Sequence, residues 1–199
     1  MDIRRFIKWL NSATSKFSGG SRFLMVFSML LTNLSQAESQ QRCGNNPEAI
    51  RLAKLIINDE RQNRKSLKCN SILSNIADNK AREMAKLGRV THIGRNPANT
   101  RLRDEGYSLS EVYPRMFANN VEAIAGGMYE PAEVWLEFKN SELHRSHLLA
   151  EHEFYLLQNE IGAGYYYDKN SKHGEYWVVY VAHQKKNEFY TGEIAKSKD

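Results

Sequence analysis

Three of the chain's six histidines lie within nine positions of one another, in the segment Ser141-Glu142-Leu143-His144-Arg145-Ser146-His147-Leu148-Leu149-Ala150-Glu151-His152. A helix would place His144 and His147, three residues apart, on one face. Neutral imidazole is a common zinc ligand, and histidine is also a frequent general acid or base near neutral pH. The same spacing suits one buried and one solvated histidine equally well. The segment alone leaves a metal site, a catalytic site and a histidine-rich helix open.

The remaining histidines carry weaker signals for chemistry. His152 is followed by Glu153 and Phe154, which indicates a helix end or a loop. His173 lies in a turn-like segment and is expected to be solvated, and His183 lies at a strand end and is expected to be structural. Neither cysteine has neighbours that would activate a thiol, and no activated serine stands out.

Helical patterns account for the first half of the chain beyond residue 46. Apolar residues recur at helical spacing from Pro47 to about Arg64, and again from Asn70 or Ser71 until Gly88. Residues 88–120 read as a long loop with a short helix around Thr100 to Glu105. Pro131 to about Leu149 predicts one or two helices, which would carry His144 and His147.

Strand patterns dominate the second half. Val121 to Ala125 is a short apolar piece, and Glu160 to Tyr167 and Glu175 to His183 predict a β-hairpin. Helices first and strands later predict an α+β fold with a central antiparallel sheet. The hairpin is rich in tyrosine, and packing and a stacking surface for sugar rings both remain open for Tyr165, Tyr166, Tyr167, Tyr176 and Tyr180.

The N-terminal residues predict export. A basic region ends at Arg22, an apolar run follows from Phe23 to Leu31, and Ser35-Gln36-Ala37 places small residues at the positions that a signal peptidase reads. The run has about half of the ~20 residues of a membrane-spanning helix, so we expect a cleaved signal peptide over 1–37 and no stable membrane anchor. The protein is therefore expected to be secreted or otherwise extracytoplasmic.

Charge and cysteine content support this interpretation. Residues 1–37 contribute +4 of the formal net charge of +5, so the remainder is nearly neutral, which disfavours a nucleic-acid partner. The length of 199 residues suits one domain. We assign an N-terminal arm to 38–46, the domain to 47–184 and a flexible tail to 185–199. In an oxidising compartment Cys43 and Cys69 are expected to form a disulfide that fixes the arm.

Several short motifs occur in an order that resembles the CAP superfamily. This is the SCP-like extracellular domain shared by cysteine-rich secretory proteins, venom antigen 5 and plant pathogenesis-related proteins. The resemblance covers about Ala49 to Ala182 and is closest to the short prokaryotic branch. Its motifs are Leu55-Ile56-Ile57-Asn58-Asp59-Glu60-Arg61, Ala81-Arg82-Glu83-Met84-Ala85, Thr91-His92, Arg101-Leu102, Gly106-Tyr107, Val121-Glu122-Ala123-Ile124-Ala125, Trp135, Ser141-Glu142-Leu143-His144-Arg145, Ile161-Gly162-Ala163-Gly164 and Tyr176-Trp177.

The resemblance implies a three-layer α-β-α sandwich and a cleft. His92, Glu122 and His144 stand at the family's cleft positions, and in some relatives the histidines bind zinc or another divalent cation. His92 and His144 are therefore the candidate metal ligands, with Glu122 as candidate third ligand or general base. His147 is a further candidate for the cleft.

Two departures from the family pattern affect this cleft. Ala123 and His147 each stand where relatives carry Asn. The family's second acidic residue has no clear counterpart, and Glu137 and Glu142 both remain candidates. The missing Asn amides would change how the cleft is braced.

The function expected first is a secreted binding or interaction module with an extracellular or cell-wall ligand, with or without a bound divalent cation. A metal-assisted hydrolase acting on peptides or cell-wall polymers, with His92 and His144 on the metal, is the second hypothesis. A carrier of sterols or fatty acids is the third, because some relatives bind such lipids away from the histidine cleft.

Overall fold

A computed structural model describes residues 42–114 and 118–185. The predicted signal peptide and residues 186–199 of the predicted tail lie outside the described residues. The helices of the described part are α1 (Pro47–Ile57), α2 (Ser71–Leu87), α3 (Ala98–Asp104), α4 (Pro131–Asn140), α5 (Glu142–Leu149) and α6 (Glu153–Leu156). Its strands are β1 (Lys68–Cys69), β2 (Glu122–Gly126), β3 (Glu160–Tyr167) and β4 (Glu175–Ala182).

Helix α1 begins as predicted but ends earlier. The Asn46 side chain accepts the N–H of Ala49, and Pro47 occupies the first turn. The predicted extension to Arg64 is wrong. The helix stops at Ile57 because the Asp59 carboxylate accepts the backbone N–H of Arg61, which turns the chain out of the helix.

Helices α2, α4 and α5 follow the predicted boundaries closely. Asn70 caps α2 by accepting the N–H groups of Ile72 and Leu73, and Gly88 ends it with a φ of +62°. The segment from Pro131 to Leu149 forms two helices rather than one. Ser141 is in extended conformation between α4 and α5, which changes the direction of the chain before His144.

The sheet has the strand order β1-β3-β4-β2. Strands β3 and β4 form the predicted antiparallel hairpin, and β2 pairs antiparallel with β4. The sheet is nevertheless mixed, because the two-residue strand β1 pairs in parallel with β3. No sequence pattern predicts β1, since two residues are too few to show an alternation.

Each face of the sheet packs against helices. Along β4, Trp177, Val179 and Val181 belong to the core with α1, α4 and α5. The alternate residues, including Tyr176 and Tyr180, belong to the core with α2 and α3. The predicted α+β fold is confirmed, with helical layers on both faces of the sheet.

The approach of α2 to β3 depends on two glycines. A Cβ at Gly162 would collide with the backbone at Leu73 and Ser74, and one at Gly164 with the backbone at Ala77. Only glycine permits the helix to lie this close to the strand.

A disulfide joins Cys43 to Cys69, as predicted. It ties the N-terminal arm to β1. Within the described residues, no helix is both long and apolar enough to cross a membrane.

Candidate functional site

Glu122 opens β2, the strand next to β4 at one side of the sheet. Its backbone N–H donates to Asn119 Oδ1 at 2.9 Å, and its carbonyl accepts from Asn119 Nδ2 at 2.9 Å. The register places Glu122 opposite Tyr180. These contacts carry the carboxylate inward, so that Glu122 is only 3% exposed.

Both carboxylate oxygens of Glu122 have partners. His92 Nδ1 lies 2.8 Å from Oε1, and the Tyr180 hydroxyl donates to Oε2. Burial and the neighbouring Glu122 charge raise the pKa of Tyr180 well above its ordinary value, so the hydroxyl remains a donor. Glu122 is therefore buried, has a hydrogen-bond partner at each carboxylate oxygen, and holds His92 through one of them.

The hydrogen bonds define the tautomer of His92. A carboxylate oxygen can only accept, so Nδ1 carries the ring proton and donates it to Glu122. Asn119 Nδ2, which the Glu122 backbone holds as a donor, also lies 3.0 Å from Nδ1. It could donate to Nδ1 only in the opposite tautomer, which would leave the contact of Nδ1 with the Glu122 carboxylate without a proton. Nε2 then holds the lone pair, has no hydrogen-bond partner among the described residues, and belongs to a side chain that is 42% exposed.

Two buried cations balance the charge of Glu122. Lys80 is fully buried and Arg101 is 4% exposed. Burial lowers the pKa of Lys80, while the charges of Glu122 and Glu83 oppose that effect. For Arg101, burial also lowers the pKa, but Tyr180, Glu83 and Glu122 outweigh it and the pKa is raised. The carboxylate thus lies in a compensated environment.

His144 lies in the first turn of α5. Its ring is 5.0 Å from that of Phe138. Burial lowers the pKa of His144, the nearby His92 lowers it further, and Glu137 partly opposes both. His144 is thus within electrostatic range of His92, and its lowered pKa favours the neutral imidazole. Of the two acidic candidates, Glu137 is the one that acts on His144.

His147 lies elsewhere. It is 5% exposed, its Nε2 is 3.4 Å from the Val181 carbonyl, and its ring packs 5.0 Å from that of Tyr155. Burial, followed by the charge of Arg64, lowers its pKa to about 3. The ring of His147 is therefore a neutral and almost fully buried core group.

The other candidates have local roles. His152 caps α6 by accepting the N–H of Phe154 at 3.2 Å, and His183 Nδ1 lies 2.8 Å from the Tyr113 hydroxyl. Tyr176 and Tyr180 are fully buried, whereas Tyr167 is 55% exposed. The hairpin tyrosines thus divide between core packing and surface and do not form one stacking platform.

The Asp59 region serves packing. Its carboxylate accepts from Trp135 Nε1 at 3.1 Å and lies 3.5 Å from Lys139 Nζ. These residues help to line a groove of about 610 Å³ between α1 and α4. These contacts join the segment after α1 to α4, the helix that directly precedes α5 and His144.

The described residues contain no group of three or more His, Cys, Asp or Glu side chains placed to hold a metal ion. A cation at this cleft would have two protein imidazoles, His92 and His144. Its remaining ligands would come from water or from a bound molecule.

Sequence reasoning missed three important neighbours of the cleft. The sequence presents Tyr180 only as part of an aromatic hairpin, and Asn119 and Lys80 belong to no motif. A strand register between β2 and β4 could have suggested Tyr180, but the sequence does not supply that register. The Asn119 amide braces Glu122 through its backbone N–H and carbonyl.

Comparisons with known proteins give information on the fold alone. No family model matches the sequence, and no curated protein matches it. Among solved structures, the chain is similar to an outer surface protein from Borrelia burgdorferi, with 18% identity and a TM-score of 0.51. The match covers 68% of this chain and 91% of that chain. At this identity the similarity shows a shared fold and carries no activity.

Proposed function

We propose that the protein is an exported CAP-like binding module that engages its ligand at the cleft of His92, Glu122 and His144. A divalent cation, zinc in the first instance, would bind weakly at His92 Nε2 and His144. The observation that carries this proposal is the His92–Glu122 hydrogen bond of 2.8 Å, which directs the proton of the imidazole to Nδ1 and leaves Nε2 available.

This donor arrangement suits metal binding. Histidine ligands in metal sites commonly donate their second N–H to a carboxylate, which fixes the ring and raises its basicity. Glu122 stands in that supporting position. Because only two imidazoles are supplied, a cation would retain open positions and exchange readily. A ligand that offers a carboxylate, carbonyl or hydroxyl group could complete the coordination.

The geometry favours binding over metal-assisted hydrolysis. A general base needs a lone pair within hydrogen-bond reach of the proton that it removes. Both oxygens of Glu122 are already engaged, by His92 and by Tyr180, and the side chain is buried. This arrangement supports a positioning role for Glu122 and gives no independent support to the hydrolase.

An extracytoplasmic location is part of the proposal. A disulfide between Cys43 and Cys69 supports an oxidising compartment. The name of the similar Borrelia protein, an outer surface protein, points in the same direction. The partner is then sought among extracellular or cell-wall molecules.

Zinc titration by calorimetry tests the cleft. The purified exported protein is compared with His92→Ala, His144→Ala and the double variant, and with His152→Ala as a control for an exposed histidine. Each cleft variant should lose binding, and the control should match the wild type. Indistinguishable titrations of the wild type and the double variant would refute the cation site.

Glu122→Gln separates support from direct ligation. The amide retains the shape of the side chain but not its charge, so zinc affinity should fall about 10- to 100-fold, as for other carboxylates that support histidine ligands. Turnover of a peptide library that disappears with chelator and with Glu122→Ala would instead favour the hydrolase.

A further inference from the structure

The loop that carries His92, residues 88–97, is fixed to α2 through Glu83. The backbone N–H of Arg95 donates to Glu83 Oε1. At Gly94 the backbone approaches the Glu83 carboxylate so closely that a Cβ would collide with it. The three atoms nearest to that Cβ all belong to Glu83. Two residues that follow His92 in the loop thus rest on this single side chain.

Glu83 is itself held in place. Arg101 Nη2 donates to Glu83 Oε2, and Lys80 Nζ lies 3.7 Å from the same oxygen. Burial raises the pKa of Glu83, but the Arg95 N–H and the two cations outweigh it and the pKa is lowered. The side chain therefore stays ionised and is bound on both oxygens. The charges of Lys80 and Arg101 also act on Glu122, so the same two buried cations serve Glu83 and Glu122.

The residues on either side of His92 form a tight turn. Thr91 Oγ1 donates to the Ile93 carbonyl at 2.9 Å and accepts the Ile93 N–H at 3.2 Å. This turn places His92 at its centre. The turn sets the local conformation, but it includes no contact with α2 or β2. The loop is held on the rest of the protein by Glu83 at Gly94 and Arg95, by Val90 against Gly126 of β2, and by Arg101 at the Asn96 carbonyl. Of these contacts, those of Glu83 lie nearest to His92 in the chain, and His92 itself is bonded to Glu122.

We propose that Glu83 is a positioning residue of the cleft: its carboxylate fixes Gly94 and Arg95 and so holds His92 on Glu122 with Nε2 free. The positioning itself is independent of any ligand. Its effect on zinc affinity rests on the function proposed above. The alternative is that Glu83 only stabilises the packing of α2 and α3 through Arg101.

Two substitutions disturb the same contact in different ways. Glu83→Ala removes the carboxylate. Gly94→Ala leaves every charge in place, and its added Cβ must displace either the loop or the Glu83 carboxylate, which breaks their contact. Glu105→Ala is the matched control, because Glu105 pairs with Arg101 at 3.3 Å and with Asn79, and neither is in the loop.

The decisive measurement is nitrogen NMR of the histidines, which reports the tautomer of His92. The wild type should show the Nδ1–H form. Glu83→Ala and Gly94→Ala should each give a mixture of tautomers and faster hydrogen exchange at the Arg95 amide, and Glu105→Ala should resemble the wild type. Urea unfolding of each variant shows whether stability changes in parallel. If Glu83→Ala does not fold, Gly94→Ala still tests the contact.

A double variant completes the test. Once Glu83 is removed, the Cβ at position 94 loses its collision partner, so Glu83→Ala/Gly94→Ala should match Glu83→Ala in tautomer and exchange. An unchanged tautomer in both single variants would overturn the proposal, and so would an equal change in Glu105→Ala or fully additive effects in the double variant.

Zinc titration of the same proteins separates this inference from the proposed function. We expect affinity to fall about 10-fold in Glu83→Ala and Gly94→Ala, within the range for groups that support a metal ligand. If no protein binds zinc, including the wild type, while the tautomer responds as expected, the cation site fails and the positioning role of Glu83 stands.

Discussion

The buried His147 gives the protein an acid sensitivity that one substitution should remove. The imidazole packs against Tyr155 with its Nε2 near the Val181 carbonyl, and Arg64 lies close enough to disfavour a second positive charge. His147→Asn replaces the imidazole by a neutral amide that does not titrate in this pH range. The amide is smaller than the ring, so we expect a loss of about 1–3 kcal/mol near neutral pH from reduced packing.

The magnitude of the pH effect follows from the shift in pKa. Burial lowers the pKa of His147 from 6.5 to about 3 in the folded protein. The unfolded chain therefore binds this proton first as the pH falls, and stability is lost below about pH 6.5 and until about pH 3. Linkage converts the shift into about 5 kcal/mol in total, of which about 3 kcal/mol is lost between about pH 7.5 and about pH 4.5.

Urea unfolding, followed by tryptophan fluorescence over a pH series, measures this effect. The wild type should lose about 3 kcal/mol more than His147→Asn between about pH 7.5 and about pH 4.5. Asp59, Glu83 and His144 also have lowered pKa values. Both proteins carry these groups, so their contributions cancel when the unfolding free energies of the wild type and His147→Asn are subtracted. His152→Asn, at an exposed position, should follow the wild type. Parallel pH curves for the wild type and His147→Asn would refute the assignment of His147 as a buried neutral group.

Two further predictions concern the sheet. Gly164→Ala should destabilise the protein by at least about 3 kcal/mol in urea unfolding, because the new Cβ collides with backbone of α2 at Ala77; a loss below about 1 kcal/mol would contradict the close packing. Tyr180→Phe removes the donor to Glu122 Oε2 and should lower the free energy of unfolding by about 1–3 kcal/mol in the same measurement. Tyr167→Phe is the control: its side chain is 55% exposed, so the free energy of unfolding should change by less than about 0.5 kcal/mol. Equal stability of the two Phe variants would argue against the buried hydrogen bond.

Local patterns predict the helices well and the partners of the cleft poorly. Helix α2 could be placed from its sequence because Asn70 and Gly88 mark its ends and its apolar residues repeat at helical spacing. Glu122 and Tyr180, by contrast, are 58 positions apart in the chain, and their contact depends on the pairing of β2 with β4. His92 and Glu122 were associated by family resemblance, and no periodicity in the sequence joins them.

His147 shows the limit most directly. Its spacing from His144 allowed a shared cleft, but three residues along a helix do not determine which of the two rings meets solvent. The packing of α5 on β4 buries His147 against Val181 and leaves His144 only partly buried. Side-chain type indicated possible chemistry, and burial decided which histidine could perform it.

The sequence by itself determined the order of the longer helices and strands and the presence of a single cysteine pair, because these depend on spacing, capping and composition. Only the tertiary structure decided that Tyr180 and Asn119 hold Glu122, that Glu83 holds the loop of His92, and that His147 is buried. Each of those contacts depends on strand register or on helix-to-sheet packing, which distant parts of the chain set together.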